Sequence, residues 1–342
     1  VKPIEQVLDS EPTLLDKQYR LWSWISEYYM SPLGDVYNAA FPAGLKSTEK
    51  FKPKMELYVA LSSAYRNPQA LRVALQLISR AVKQAKAFTT FLQLSHWDVL
   101  LQEELNENGI EKVTKEELMN EAHCTSAIIK SLIDKGFLFT YELEVGRLNT
   151  SGEAHFDMIK PLSIAQQNAY NQILMQMMSK NVVLLHGVTS SGKTEIYIHL
   201  IKKALDEHKQ VLYLLPEIAL TVQIMERLHK VFGDRLGIYH SKYSDAERVE
   251  IWQKQMSGHP YDVILGARSA VFLPFQNLGL VIIDEEHETS FKQQDPAPRY
   301  HARSAAIVLA SMYPDTKVLL GTATPSMESY YNARQGKYGL VE

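Results

Sequence analysis

The 342-residue sequence has a single cysteine, Cys124. That excludes an intrachain disulfide and a zinc site built from cysteine clusters within it. Cys124 itself reads as a small buried apolar residue. No apolar run reaches the ~20 residues of a membrane-spanning helix, and no basic-then-apolar secretory leader is visible. A cytoplasmic protein with no membrane partner is expected. An excess of one charge is missing as well: 36 Lys+Arg against 39 Asp+Glu leave a net charge of −3. Contact with nucleic acid must then rest on a local patch. The chain begins at Val1 without methionine, and Tyr338-Gly-Leu-Val-Glu342 reads as an element cut short. A piece of a longer protein is expected.

What is present is a hydrophobic share of 46%, enough to core two or three domains. In residues 1–45, Leu21, Trp22, Trp24, Ile25, Tyr28 and Tyr29 recur near helical spacing and read as a packed face. Residues 51–93 read as helical and Ala/Leu-rich, with Asn67 capping a helix that has Pro68 in its first turn. In residues 112–148, Thr114 and Glu117 form a capping box, a second helix ends at Gly136, and Phe137–Val145 reads as a strand. Helix, turn, helix and strand suggest a winged helix. Its second helix carries only Lys130 and Lys135, so the unit either touches DNA or braces its neighbours. The expected domains are 1–45, 46–155 and 156–342.

After residue 155, short apolar runs alternate with helical patterns. Strands are predicted at Val182–His186, Val211–Leu215, Leu236–Tyr239, Val263–Gly266, Leu280–Asp284 and Val318–Gly321, with helices such as Ile218–Phe232 and Ser244–Met256 between them. This alternation predicts an α/β fold with a parallel sheet and functional residues at the carboxyl ends of its strands.

The first of those ends carries Gly187-Val-Thr-Ser-Ser-Gly-Lys-Thr-Glu195, which fits G-x-x-x-x-G-K-[ST] between a strand and a helix. Loop amides from Gly187, Val188, Thr189, Ser190, Ser191 and Gly192 would cradle phosphate oxygens, with Lys193 as cation, Thr194 as Mg²⁺ ligand and Glu195 opening the helix. The cofactors expected are ATP and Mg²⁺. Upstream, Gln166 is placed to read adenine through one donor and one acceptor, with Gln167 competing.

A second strand ends in Asp284-Glu285-Glu286-His287. Asp284 is placed to hold Mg²⁺ through water and Glu285 to polarise the attacking water. A third ends in Gly321-Thr322-Ala323-Thr324-Pro325, whose hydroxyls can bond His287 or Glu285, so His287, Thr322 and Thr324 are expected to couple nucleotide state to the rest. Three further loops leave the same side. One is Pro216–Thr221 and another contains Arg268 and Ser269. The third, 289–303, holds Phe291, Lys292, Arg299, Tyr300, His301 and Arg303. Aromatics among cations favour single-strand binding by stacking and phosphate contact over a loop that packs on itself.

Together these motifs resemble the first motor lobe of superfamily 2 nucleic-acid motors. With Leu215-Pro-Glu-Ile-Ala-Leu-Thr221, Gly266–Phe272, Lys292-Gln-Gln294, Arg299-Tyr-His-Ala-Arg303, Val7–Pro12 and Pro32–Asp35, the sequence resembles the primosomal replication-restart helicases over nearly its whole length. The resemblance implies an ATP-dependent 3′-to-5′ DNA helicase acting at stalled forks. It also implies a RecA-like lobe preceded by a winged helix and a helical remnant of a 3′-end-binding domain. DNA forks, single-stranded DNA, primosome proteins and single-stranded DNA-binding protein are the implied partners. By the same resemblance, Phe291–Arg303 couples DNA contact to hydrolysis. A second lobe with an arginine finger and zinc-binding cysteines belongs to the full-length protein, so this fragment alone is expected to hydrolyse ATP poorly. Ser190 stands where the family commonly has glycine, and Ser304 where it commonly has an acid. Two other readings are a fork sensor with ATP-gated affinity, and a restriction or chromatin translocase. The latter does not account for Arg299–Arg303.

Overall fold

The computed structural model describes residues 12–46, 55–98, 110–144, 152–188, 191–240 and 243–342. Thr189 and Ser190 of the phosphate loop, and most of the Val7–Pro12 motif, lie outside them. The chain divides into two compact units, Lys52–Gly146, and Val1–Phe51 with Arg147–Glu342.

The smaller unit is built on an antiparallel sheet of β1 (Met55–Leu61), β2 (Val113–Thr114) and β3 (Leu138–Glu144), in the order β2-β1-β3. The strand β1 stands where helical text was expected, and it pairs with β3 along all seven residues. Its period-2 signal, Leu57, Val59 and Leu61, is outweighed in sequence by the Ala/Leu-rich helices Pro68–Ile78 and Val82–Leu94 that follow. The expected caps are present: Asn67 accepts from the Ala70 amide at 2.8 Å, and Thr114 from the Glu117 amide at 3.1 Å. Gly136 ends its helix with φ +76°. Cys124 is half-buried against this core.

The larger unit holds seven parallel strands: β4 (Val182–His186), β5 (Gln210–Leu214), β6 (Leu236–Tyr239), β7 (Val263–Gly266), β8 (Leu278–Asp284), β9 (Lys317–Thr322) and β10 (Gly339–Val341). Their order is β10-β4-β9-β8-β5-β7-β6. Six match the expected strands, and the three-residue edge strand β10 is additional. Residues along β4, β5, β7 and β8 are almost all buried, as a sheet covered on both faces requires. The helix expected from Ile218 starts at Val222, because the Thr221 hydroxyl caps it. Two apolar layers sandwich the sheet. One includes Leu184, Leu212, Ile264 and Val281, and it takes in Leu21, Trp22, Ile25 and Val36 from the amino-terminal segment. The expected packed face is core at Leu21, Trp22 and Ile25 only; Trp24 and Tyr29 are half-buried, and Tyr28 is exposed and stacked on Trp24. Gln18 donates to the Phe272 carbonyl at 2.8 Å, and the Trp252 indole donates to the Thr13 carbonyl at 3.0 Å.

Candidate active site

The strand order brings three motifs to one edge. β9 lies between β4 and β8, pairing His186 with Thr322 and Asp284 with Gly321. The ends of all three strands face the same side, and the Gly187 amide donates to the Thr322 carbonyl at 3.0 Å.

After β4 the chain turns through Gly192, at φ +78°, into the helix Lys193–Asp206. A Cβ at Gly192 would overlap the Gln166 side chain. Lys193 is 8% exposed, and its ammonium donates to the carbonyls of Gly187 (3.1 Å) and Val188 (3.4 Å) while standing 4.0 Å from Glu285 Oε1. The lysine thus fills the hollow of its own loop. Glu195 is ion-paired with Arg227 of the helix Val222–Phe232. Gln166 Oε1 accepts from the Ser163 amide at 2.9 Å and Nε2 donates to the carbonyls of Ser191 and Gly192, both at 3.3 Å. Gln166 therefore caps the helix Ile164–Ser179 and braces the loop, while Gln167 bonds Asn171 on the surface.

Asp284 ends β8. Tyr197 donates to its Oδ1 at 2.9 Å and Tyr213 to its Oδ2 at 3.4 Å, from the phosphate-loop helix and from β5. Both phenols are fully buried, which together with the Asp284 charge raises their pKa values and keeps them donors. Thr194 reaches the same Tyr213 hydroxyl. Burial raises the Asp284 pKa even against the Tyr197 hydrogen bond. A half-buried carboxylate, with a threonine that bonds the same tyrosine, is a hard-oxygen donor set suited to a divalent cation. Neither tyrosine stood out in the sequence. The Gly321 contact could have flagged Tyr197 only once the fold was known, because a Cβ there would overlap the Tyr197 hydroxyl.

Glu285 adopts φ +48°, a left-handed conformation costly for a side chain with Cβ. His287 Nδ1 is 2.7 Å from Thr322 Oγ1, which also accepts from the Thr324 amide at 3.1 Å. The hydroxyl series thus bonds His287, as one of the two expected options had it.

The loop 289–303 corrects the sequence reading. Phe291 and Tyr300 are fully buried and present no face to a base. Tyr300 packs edge-on to Phe272, with centroids 4.9 Å apart. Gln293 knits the loop through its amide to the Tyr300 carbonyl (2.9 Å) and its side chain to the carbonyls of Pro296 (2.8 Å) and Pro298 (3.0 Å). Arg303 is 12% exposed and paired with buried Glu286, so it too is withdrawn from a ligand. His301 is half-buried with Nδ1 unpartnered, and burial, with Arg303 and Lys292 nearby, lowers its pKa to about 4. Of the other expected DNA contacts, Arg268, Ser269 and Lys292 are half-buried and Arg299 is exposed. The first three line a groove of about 450 Å³ that also takes in Pro216 and Glu217. Arg268 is aimed by its bonds to the carbonyls of Ser290 (3.3 Å) and Lys292 (3.2 Å).

A family model described as DEAD/DEAH box helicase matches residues 163–333, half of the chain. The chain belongs to the DEAD/DEAH box helicase family. Two further models match upstream: a winged helix domain of PriA helicase, Bacteroidota, over residues 56–145, and a 3′DNA-binding domain over residues 1–42. The winged-helix match begins at β1, well upstream of the residues that suggested one. Among its relatives, Replication restart protein PriA of Haemophilus influenzae is 36% identical over 99% of this chain and 43% of its own length. That of Bacillus subtilis is 34% identical over 100% and 48%. The chain thus spans less than half the length of these relatives. Among solved structures, Mycobacterium smegmatis helicase Lhr bound to ssDNA and AMP-PNP is similar with a TM-score of 0.39 and 19% identity, over 52% of this chain and 25% of that one.

Proposed function

We propose that this chain is the ATP-binding part of a bacterial, cytoplasmic, ATP-dependent 3′-to-5′ DNA helicase that restarts replication at stalled forks. One observation carries the reading: Lys193, Asp284 and Glu285 converge from two strands of one sheet, with Lys193 and Glu285 already 4.0 Å apart. A site that only gated DNA affinity would have no use for a second acid there.

On this reading Lys193 binds the β- and γ-phosphates and gives up Glu285 as it does so. Thr194 and Asp284 hold Mg²⁺, which when bound neutralises charge building on the phosphate oxygens. Glu285 orients the attacking water and takes its proton. The amides of Gly187 to Thr194 supply fixed dipoles, and His287 with Thr322 and Thr324 reports on the site. Arg268, Ser269, Lys292 and Arg299 contact single-stranded DNA along the groove. Residues 1–45 are a remnant of the 3′-end-binding domain, 46–155 the winged helix with its linker and 156–342 the first motor lobe. In the full-length protein a second lobe completes the ATP site and carries zinc. Primosome proteins and single-stranded DNA-binding protein are the partners.

The test is Lys193→Ala in the full-length protein. Strand separation and DNA-stimulated hydrolysis should fall by roughly 100-fold or more, the scale of losing one preorganised charge at the transferring group. Unwinding at the wild-type rate would sink the proposal.

A further inference from the structure

Glu286 lies in the acidic motif yet faces neither the phosphate loop nor solvent. It is fully buried. Its carboxylate accepts from the Ser326 amide at 2.7 Å, Ser326 Oγ at 3.0 Å and Ser329 Oγ at 2.9 Å, and it is ion-paired with Arg303. Burial pushes its pKa up, but the Ser326 amide and the Arg303 guanidinium outweigh that and hold it below the usual glutamate value. Arg303 Nη1 also reaches Ser326 Oγ at 2.6 Å, and that oxygen caps the helix Met327–Arg334. A buried pair of this kind depends on the hydrogen bonds around it, and removing one partner is severe.

The cluster joins three places. Glu286 follows β8, Arg303 sits in the first turn of the helix Ala302–Ser311, and Ser326 follows β9. Glu286 is the direct chain neighbour of Glu285, whose backbone is held at φ +48°. The Glu286 amide is pinned to the Gly321 carbonyl at 3.2 Å. On its far side, Arg303 ends the loop in which Lys292 bridges to His301 and borders the groove.

We propose that Glu286 is the positioning residue through which the groove loop sets the aim of Glu285. Single-stranded DNA seated on Lys292 and Arg299 displaces Arg303, Arg303 draws Glu286 with it, and the Glu285 carboxylate turns from Lys193 toward the water at the γ-phosphate. This rests on the hydrolase reading above and deepens it by naming the pair that transmits the signal.

The experiment is ATP hydrolysis by the full-length protein and its Glu286→Gln variant, with and without saturating oligothymidylate. Affinities for an ATP analogue and for the oligonucleotide are measured on the same samples. Glutamine keeps the shape and one of the two acceptor oxygens but loses the charge that holds Arg303. The DNA-stimulated kcat should fall about tenfold or more, while KM for ATP and both affinities move less than about threefold. Arg303→Lys should show the same split, and the double variant should be no worse than either single change. Wild-type stimulation in Glu286→Gln overturns the proposal, and so does a loss of stimulation that tracks lost ATP affinity. Should Glu286→Gln fail to fold, Ser329→Ala, which keeps the ion pair, decides: a loss of about two- to fivefold in stimulation at unchanged affinities supports the linkage, and full stimulation sinks it. Absence of DNA-stimulated hydrolysis in the wild-type protein overturns the helicase reading itself, so the two failures are told apart.

Discussion

Asp284 is aimed by two phenols that reach it from opposite neighbours, and Tyr197 is pressed against Gly321 so closely that only glycine fits. Gly321→Ala should therefore act on chemistry through Tyr197. The added methyl costs about 1–3 kcal/mol as overpacking and displaces the hydroxyl that orients Asp284. Denaturant melts should show that loss, with Mg²⁺-dependent nucleotide affinity falling in step. Adding Tyr197→Phe should recover only part of the stability, since the ring carbon would still sit 2.9 Å from the new Cβ. Full recovery, or none, would contradict this account. Lys193, Thr194, Asp284 and Glu285 were legible in sequence because their spacing from strand ends is itself the signal. Tyr197, Tyr213 and Glu286 were not. Their partners arrive from other strands, and Glu286 among Asp284, Glu285 and His287 looks like one more solvated acid until Ser326 and Ser329 close over it.

The loop 289–303 shows how composition misleads at the level of an element. Interleaved aromatics and cations suggested a stacking surface, but the loop spends Phe291 and Tyr300 on its own anchorage, holds Lys292 half-buried on the Arg299 carbonyl and exposes Arg299. The two classes should separate by mutation. Phe291→Ala should cost about 3–5 kcal/mol of stability. Arg299→Ala should stay within about 0.5 kcal/mol of wild type, while weakening single-strand binding and lowering its salt slope by about one. Titrations at two salt concentrations beside urea melts would read both. The strand β1 was missed for a related reason. Its alternation is short, the neighbouring helices dominate any window, and its place is fixed by pairing with β3 some eighty residues later. Strands β4 to β9 suffered no such ambiguity, since burial on both faces demands uninterrupted apolar runs.

At the level of the whole molecule, the amino-terminal segment is part of the larger unit's core. Leu21, Ile25 and Val36 are fully buried and Trp22 nearly so, in the same apolar layer as β4 and β5. Each contributes roughly 1.5–3 kcal/mol. A protein begun at residue 152 should melt at least about 10 °C lower than one retaining residues 12–46, and calorimetry on the two would show it. Equal melting temperatures would mean that the segment only rests on the lobe. Sequence periodicity gave the packed face of this segment but not its partner, because the residues it meets, Phe272 and Trp252 among them, lie more than 200 positions away.

The position of β9 has one further consequence. With β9 between them at a spacing of about 4.8 Å on each side, the backbones of the two strands that carry the phosphate loop and the acids stand about 10 Å apart, and the long Lys193 side chain closes that gap to 4.0 Å at Glu285. Were β4 and β8 neighbours, their ends would stand about 4.8 Å apart and leave no floor between the two motifs. As built, β9 is a spacer: it opens the floor between the two motifs by one strand's width, so that side chains, and not backbone, are what meet across it.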